Sequence, residues 1–301
     1  MPRSISLLIP CYNAAAFLPV LVKSALEQTV PFDEIICFDD GSTDDTFTVA
    51  TQLGLKVIRS AINKGPSYAR NKLIEAATGE WLHFHDADDI LNPSFVELMK
   101  SSISSDNIQI LCNAQYLGKN DELLDTRIEY NLMPQQDPVL FFLQHPGLAI
   151  VGLYNRKYLL ENNIQFSEHL RFNEDPDFHV KLAYSGAKFY SIKQVLVFIK
   201  GHDASASRSK WWSCISNQIF CNMSYIDILH NPVYQCEINA NLTSLCYYCL
   251  RSGKRYLGYR AYYVLKDRFS AKPVFRNRKL QLLQKIIPGN LILRSLLYFS
   301  K

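Results

Sequence analysis

Residues 79–95 read GEWLHFHDADDILNPSF. Trp81-Leu82-His83-Phe84 is an apolar run of the length that makes a short buried strand. It ends in Asp86, Asp88 and Asp89, three carboxylates within four residues. In extended chain, residues two apart point the same way, so Asp86 and Asp88 share one face at the strand's end. Carboxylates held that close repel unless a cation or hydrogen-bond donors lie between them. A divalent metal held by one or two carboxylates, with substrate phosphates completing its shell, fits this chemistry. A solvated acidic turn after a strand fits the same residues.

Upstream of this stretch the pattern repeats. Ile5 to Ile9 is a continuous apolar strand, as in a parallel sheet covered on both faces. Pro10-Cys11-Tyr12-Asn13 stops it, and Ala14 to Gln28 has helical apolar spacing. Glu34 to Phe38 is a second strand ending in Asp39-Asp40-Gly41-Ser42. Ser42 or Thr43 caps a helix running to about Leu53, with Asp44 and Asp45 in its first turn. Leu55 to Arg59 is a third strand, Asn63 to Pro66 a loop, and Ser67 to Ala77 a helix carrying Arg70. Strands alternating with helices imply an α/β fold with a doubly wound parallel sheet. Such sheets bind ligands at the carboxyl ends of their strands, where the polar clusters fall. No Gly-x-Gly-x-x-Gly follows the first strand, which argues against a dinucleotide dehydrogenase.

The composition sets bounds. The 301 residues are 48% apolar, enough for one large or two unequal domains. The net charge of +4 divides unevenly: residues 1–250 carry 19 Lys and Arg against 27 Asp and Glu, whereas residues 251–301 carry 13 against one. The acidic body suits a metal or small-molecule site, and the basic tail an anionic surface. The eight cysteines form no dense framework and no signal-peptide pattern opens the chain, so free thiols in a reducing cytosol are expected. Cys246 and Cys249 have metal-like spacing without a matching second pair, and read better as buried thiols. No apolar run reaches the roughly 18 residues of a membrane span.

IPCYNAAAFL, EIICFDDGSTDDT, NKGPSYARN, TGEWLHFHDADD and NEDPDFHVKLAYSG, in this order over residues 4–210, together resemble family 2 glycosyltransferases. The resemblance implies the GT-A fold over residues 1–210, followed by a helical C-terminal region, 211–301. It implies an inverting transferase that moves a sugar from a nucleotide-sugar donor, a UDP-sugar, to a hydroxyl of a surface glycan, lipopolysaccharide or lipid-linked acceptor. The matching positions place Pro10, Tyr12, Asn13, Asp39, Asp40, Lys64, Arg70, Asp86 and Ala87 at the donor. Asp40 contacts the base and Asp86 approaches the ribose. Asp88 binds a divalent metal, Mn²⁺ or Mg²⁺, with His202 completing its shell. Glu174-Asp175 matches the family's acidic pair, with Asp175 as catalytic base. The residues leave other roles open: Asp39 and Asp40 as a turn and helix cap, Arg70 as a surface charge, Asp175 as a helix cap, His202 as a loop histidine. His83 and His85 flank the acidic motif, and one alternates toward the core.

Between the motifs, Ser94 to Ser101 reads as a helix, Ile108 to Tyr116 as a strand and Lys119 to Asp125 as a polar turn. Pro138 to Gln144 starts a helix, and Leu148 to Tyr154 reads as a strand. This region would shape the acceptor pocket. After about Lys210 the character changes, with helix-like runs at Ile215–Leu229 and Asn239–Leu250. Arg251 to Arg278 interleaves bases with tyrosines, a pattern that suits anionic lipid or RNA. Leu280 to Phe299, broken by Pro288-Gly289, either lies in a membrane interface or completes a core. A lipid-linked acceptor favours the first, a peripheral place on the inner face of the cytoplasmic membrane. A nucleic-acid-binding protein and an inactive transferase scaffold are the competing functional readings.

Overall fold

A computed structural model describes residues 3–104, 109–118, 120–132, 137–200, 211–270, 272–285 and 287–299. The chain divides into two compact units, residues 1–205 and 206–301.

In the first unit the strands are β1 (Ile5–Cys11), β2 (Glu34–Asp39), β3 (Lys56–Arg59), β4 (Trp81–Phe84), β5 (Ile90–Leu91), β6 (Gln109–Leu117), β7 (Leu123–Ile128), β8 (Gly152–Asn155) and β9 (Phe189–Lys200). Among the described residues they form one sheet, ordered β3-β2-β1-β4-β8-β6-β9-β5, with β7 paired to β6. The β3-β2-β1-β4 half is parallel, as is the β6–β9 pair, so most paired residues lie in parallel ladders. The pairs β4–β8, β8–β6, β6–β7 and β5–β9 are antiparallel.

The helices follow the apolar spacing of the sequence. They are α1 (Leu18–Leu26), α2 (Thr46–Gln52), α3 (Pro66–Ala76), α4 (Phe95–Ser101), α5 (Pro138–Gln144), α6 (Arg156–Glu161) and α7 (Glu174–Tyr184). α1 buries Leu18, Leu21, Val22 and Ala25 and leaves Lys23 and Glu27 in solvent. β1 is buried on both faces, as a strand between two helix layers must be. Each large apolar side chain so buried contributes about 1.5–3 kcal/mol.

Three expectations change. The helix after β2 starts later than Ser42 or Thr43, with Asp45 at the N-cap position and no cap bond from its side chain; Ser42 and Thr43 bond Asn13 instead. Part of the presumed polar turn at 119–125 is strand β7, an edge strand whose side chains are mostly exposed. Leu148 to Tyr154 is not one strand: Ala149–Val151 is a 3-10 turn, and β8 begins only at Gly152. The apolar run is buried either way, but side chains elsewhere hold the turn's backbone groups.

The second unit contains α8 (Trp211–Ile228), α9 (Pro232–Arg251), α10 (Arg255–Phe269), α11 (Arg278–Gln284) and α12 (Gly289–Phe299). Its core includes Ile215, Ile219, Ile238, Leu242, Leu265 and Leu293. Cys246 and Cys249 are core thiols that burial pushes up to about 12 and about 11, so they behave as small apolar residues. α12 contributes Ile292 and Leu293 to this core, so that segment at least completes the unit. Among the described residues no helix is long and apolar enough to cross a membrane.

Candidate active site

The parallel register brings the polar strand ends to one edge. Cys11 lies opposite Asp39, Asp39 opposite Arg59, and Leu8 opposite Phe84. Asn13 takes φ 53°, a left-handed turn that asparagine tolerates, and leads the chain off β1. Its Oδ1 accepts from Thr43 N–H at 2.9 Å, and its own N–H donates to Ser42 Oγ at 2.9 Å. The two loops are thereby stapled together. Tyr12 stands half exposed beside them and Pro10 is half-buried.

Asp39 and Asp40 divide their work. Asp39 Oδ1 accepts from Ser42 N–H at 2.9 Å, and Oδ2 meets Arg59 Nε at 3.1 Å. Asp40 is buried, and its carboxylate accepts from Lys64 N–H at 3.0 Å and Gly65 N–H at 2.6 Å. Asp39 thus closes the turn to Ser42, while the Asp40 carboxylate organises the Lys64 loop 24 residues on. Lys64 Nζ lies 4.4 Å from the Tyr68 ring centre, a cation–π contact.

Arg70 is not a surface charge. It is buried on α3, and Phe166 packs 5.4 Å from its guanidinium carbon. Nη2 donates to Asp86 Oδ1 at 2.8 Å, Nη1 donates to Glu174 Oε1 at 2.9 Å, and Asp175 Oδ1 lies 3.3 Å from Nη1. Burial works against this charge, but Asp175, Asp86 and Glu174 outweigh it and hold the guanidinium's pKa above its ordinary value. One arginine thus gathers the strand-end acid Asp86 and the acidic pair of α7.

Asp175 lies in the first turn of α7 and is buried. Its Oδ2 accepts from Ala149 N–H at 2.9 Å. Its Oδ1 is buried beside Arg70 without hydrogen-bond geometry to any described group. Burial raises the carboxyl to about 7, Arg70 pulls it back, and Glu174 and Asp86 push it up. An acid poised there with one oxygen ion-paired but accepting no hydrogen bond suits a general base.

Asp86 and Asp88 are half-buried, and Ala87 and Asp89 are buried. Asp89 Oδ1 accepts from Lys200 N–H at 2.9 Å. Burial, then the charges of Asp86 and Asp88, push Asp89 well above the carboxylate range. The motif therefore concentrates negative charge at the strand ends. Among the described residues no three His, Cys, Asp or Glu form a complete metal shell. A hard cation sharing its shell between Asp88 and donor phosphates fits the oxygen donors present. His202 lies outside the described residues. His83 and His85 are both buried, not one alone; His83 bonds Gly152 O at 2.9 Å and its Nε2 meets His85 Nδ1 at 3.1 Å.

Several partners gave no local signal in the sequence. Glu174 stands 104 residues from Arg70, and Ala149, Tyr154 and His179 surround Asp175 without a recognisable motif. Glu174 and His179 sat inside the quoted NEDPDFHVKLAYSG segment, whereas Ala149 and Tyr154 lay in none of the quoted motifs.

This mostly parallel sheet flanked by helices defines a GT-A-type fold. Residues 6–162 match the family model of glycosyl transferase family 2, and the chain belongs to that family. It is 27% identical over 225 residues to the uncharacterized glycosyltransferase YibD of Escherichia coli (strain K12), covering 68% of this chain and 64% of that protein. It is 29% identical over 211 residues to the poly(ribitol-phosphate) beta-glucosyltransferase of Bacillus spizizenii, covering 62% of this chain and 30% of that protein. The chain therefore spans less than two thirds of either relative. S. aureus TarS 1-349 in complex with UDP-GlcNAc has the same fold: the TM-score is 0.63 at 18% identity, covering 95% of each chain.

Proposed function

We propose that the chain transfers a sugar, with inversion, from a UDP-sugar to a hydroxyl of a cell-surface glycan, with Asp175 as base. The observation that carries this reading is the buried Asp175 carboxyl, raised to about 7, with Oδ2 hydrogen-bonded and Oδ1 accepting no hydrogen bond beside Arg70. Oδ1 takes the proton of the acceptor hydroxyl as its oxygen bonds to the anomeric carbon. The bond from that carbon to the diphosphate oxygen breaks, and the nucleoside diphosphate leaves with the electron pair. Attack and departure on opposite faces invert the centre. With one base and no covalent nucleophile, a single displacement suffices.

Asp40, Lys64, Tyr12 and Asn13 would hold the nucleotide, and Arg70 would keep Asp86 directed at the ribose. Asp88, with His202, would hold Mn²⁺ or Mg²⁺, which when bound offsets charge on the departing diphosphate. The TarS structures with UDP and UDP-GlcNAc support the donor class. Relatives named for poly(ribitol-phosphate) glycosylation support a cell-surface polymer as acceptor. Exposed Leu282, Leu283, Ile287 and Leu291 beside basic residues support a peripheral membrane contact for the second unit.

The test is a panel of UDP-sugars with Mn²⁺ or Mg²⁺, scored for UDP release and for thermal protection. Wild type should respond to at least one donor. Asp175→Asn should retain protection and lose UDP release; full turnover in that variant removes Asp175 as base.

A further inference from the structure

The turn at residues 146–149 is held at every polar backbone position for which a bond is resolved. Tyr130 O–H donates to Pro146 O at 3.0 Å, and Leu148 N–H donates to the same Tyr130 hydroxyl at 3.0 Å. Tyr130 is itself fixed, its N–H donating to Asn113 Oδ1 at 2.9 Å. Ala149 is held at both ends. Its N–H donates to Asp175 Oδ2, and its carbonyl accepts from Tyr154 O–H at 2.9 Å.

The Tyr154 hydroxyl also lies 3.1 Å from His179 Nε2, and His179 Nδ1 lies 2.8 Å from the backbone carbonyl of Asp175. A carbonyl only accepts, so Nδ1 carries the proton. Burial lowers His179 to about 4, which keeps the ring neutral and makes Nε2 an acceptor. The contacts close a ring: Asp175 carboxylate, Ala149, Tyr154, His179, Asp175 backbone. Tyr154 has one proton for two acceptors, Ala149 O and His179 Nε2, so the ring contains a built-in competition. Gly147 seats the turn on this histidine, since a Cβ there would lie 2.4 Å from the ring's Cγ.

We propose that Tyr154, Tyr130 and His179 are positioning residues for Asp175: they fix the turn whose amide engages Oδ2, and so reserve Oδ1 for the proton. The inference rests on Asp175 being the base. None of the three touches the reacting atoms. They act through Ala149 and through the α7 backbone. Tyr130 and Tyr154 are fully buried, and their hydroxyls are spent on this turn rather than left at the surface.

The groups that face Asp175 are Arg70 from α3, Asp86 after β4, Glu174 on its own helix, and the neutral Tyr130, Tyr154 and His179. Of these, only the last three and the Ala149 amide change when the ring is cut. The amide stabilises the ionised carboxylate, so loosening it moves the carboxyl upward.

The test reads that carboxyl directly, in the full-length chain labelled with ¹³Cγ-aspartate and titrated by NMR. The Asp175 resonance is the one absent from Asp175→Asn. In Tyr154→Phe and His179→Leu its midpoint should rise by about one pH unit, the scale of a lost hydrogen bond to the charged form. His179→Asn, which keeps an N–H for the Asp175 carbonyl, should stay near wild type. In UDP-glucose hydrolysis the same variants should lower kcat while KM stays within about twofold, as expected for an interaction made in the transition state. A folded Tyr154→Phe with an unmoved midpoint overturns the proposal and makes the tyrosine core packing only. If Tyr154→Phe does not fold, Tyr130→Phe carries the same titration. Full turnover in Asp175→Asn would instead overturn the base assignment, an outcome the titration does not depend on.

Discussion

Arg70 and Asp175 meet nitrogen to oxygen at 3.3 Å, both nearly out of solvent. The same guanidinium reaches Asp86 and Glu174, so one cation serves three acids. Removing it would leave carboxylates buried without compensation. Arg70→Met is expected to lose about 3 kcal/mol of stability at pH 8. The loss should be smaller at pH 5, where Asp175, raised to about 7, carries its proton. Arg70→Lys would keep one charge but not the fork that spans Asp86 and Glu174, and should recover little activity. Urea unfolding at the two pH values, with UDP release from a UDP-sugar, checks both outcomes.

The raised Asp175 carboxyl carries a stability cost. Asp175 sits at about 7 when folded against an ordinary 3.8, so the folded state holds its proton more tightly than the unfolded chain. Stability from this group is therefore greatest below pH 4 and falls as pH rises from about 4 to 7. At about 1.4 kcal/mol per pH unit the cost is at most about 4 kcal/mol above pH 7. Asp175→Asn removes the charge but also its attraction to Arg70. The variant is expected to be about 2 kcal/mol more stable than wild type at pH 8, an advantage that shrinks toward pH 4. Activity runs the other way: kcat/KM should climb through pH 7 as the carboxyl ionises. Denaturation and rate measured over one pH series would show the two trends crossing; a flat rate profile across pH 6–8 would contradict the assignment.

Gly41, directly after the Asp39-Asp40 pair, has φ +71°, and a Cβ there would lie 2.7 Å from the Ile62 carbonyl carbon. That closeness lets the loop after β2 pack on residues 62–63, next to the Lys64 and Gly65 amides that Asp40 holds. Gly41→Ala meets both a left-handed backbone and a backbone clash. It should cost about 2 kcal/mol or more and weaken UDP binding at least tenfold. Asp40→Ala, which frees the same loop from the other side, should weaken UDP binding comparably. Calorimetry with UDP and thermal unfolding of the two variants test the shared cause.

The first four strands and their polar ends were legible because each pairs an apolar run with a turn rich in Asp, Asn or Gly. The parallel register then placed Cys11, Asp39 and Arg59 side by side. The second half of the sheet was less legible. In Leu148 to Tyr154 every residue is apolar, glycine or tyrosine, so no periodicity separates a strand from a 3-10 turn. What decides is the capture of Ala149 by Asp175 and Tyr154, a contact across 26 residues. Arg70 illustrates the same limit. Its residue type permits an exposed helix position, and only the return of α7 104 residues later buries it. Local pattern carries strands and caps; it does not carry which distant acid closes on which base.

The second unit offers the remaining prediction. Leu282, Leu283, Ile287 and Leu291 are exposed by 54%, 38%, 39% and 46%, while Ile292 and Leu293 on the same terminal segment are buried. Exposed Arg278, Lys279, Lys285 and Arg294 stand among them. Apolar side chains that do not join the core, beside basic ones, suit an anionic bilayer, where each basic residue contributes about 1 kcal/mol near the surface. The full chain is expected to sediment with phosphatidylglycerol vesicles and to release as salt rises. Leu282→Glu with Leu291→Glu should weaken that binding at least tenfold and leave the unfolding temperature within a few degrees, because neither side chain is in the core. Equal binding to neutral vesicles, or no response to the double substitution, would end the membrane reading. Tight, salt-sensitive capture of RNA by the same surface would favour the nucleic-acid alternative that its tyrosines and arginines also permit.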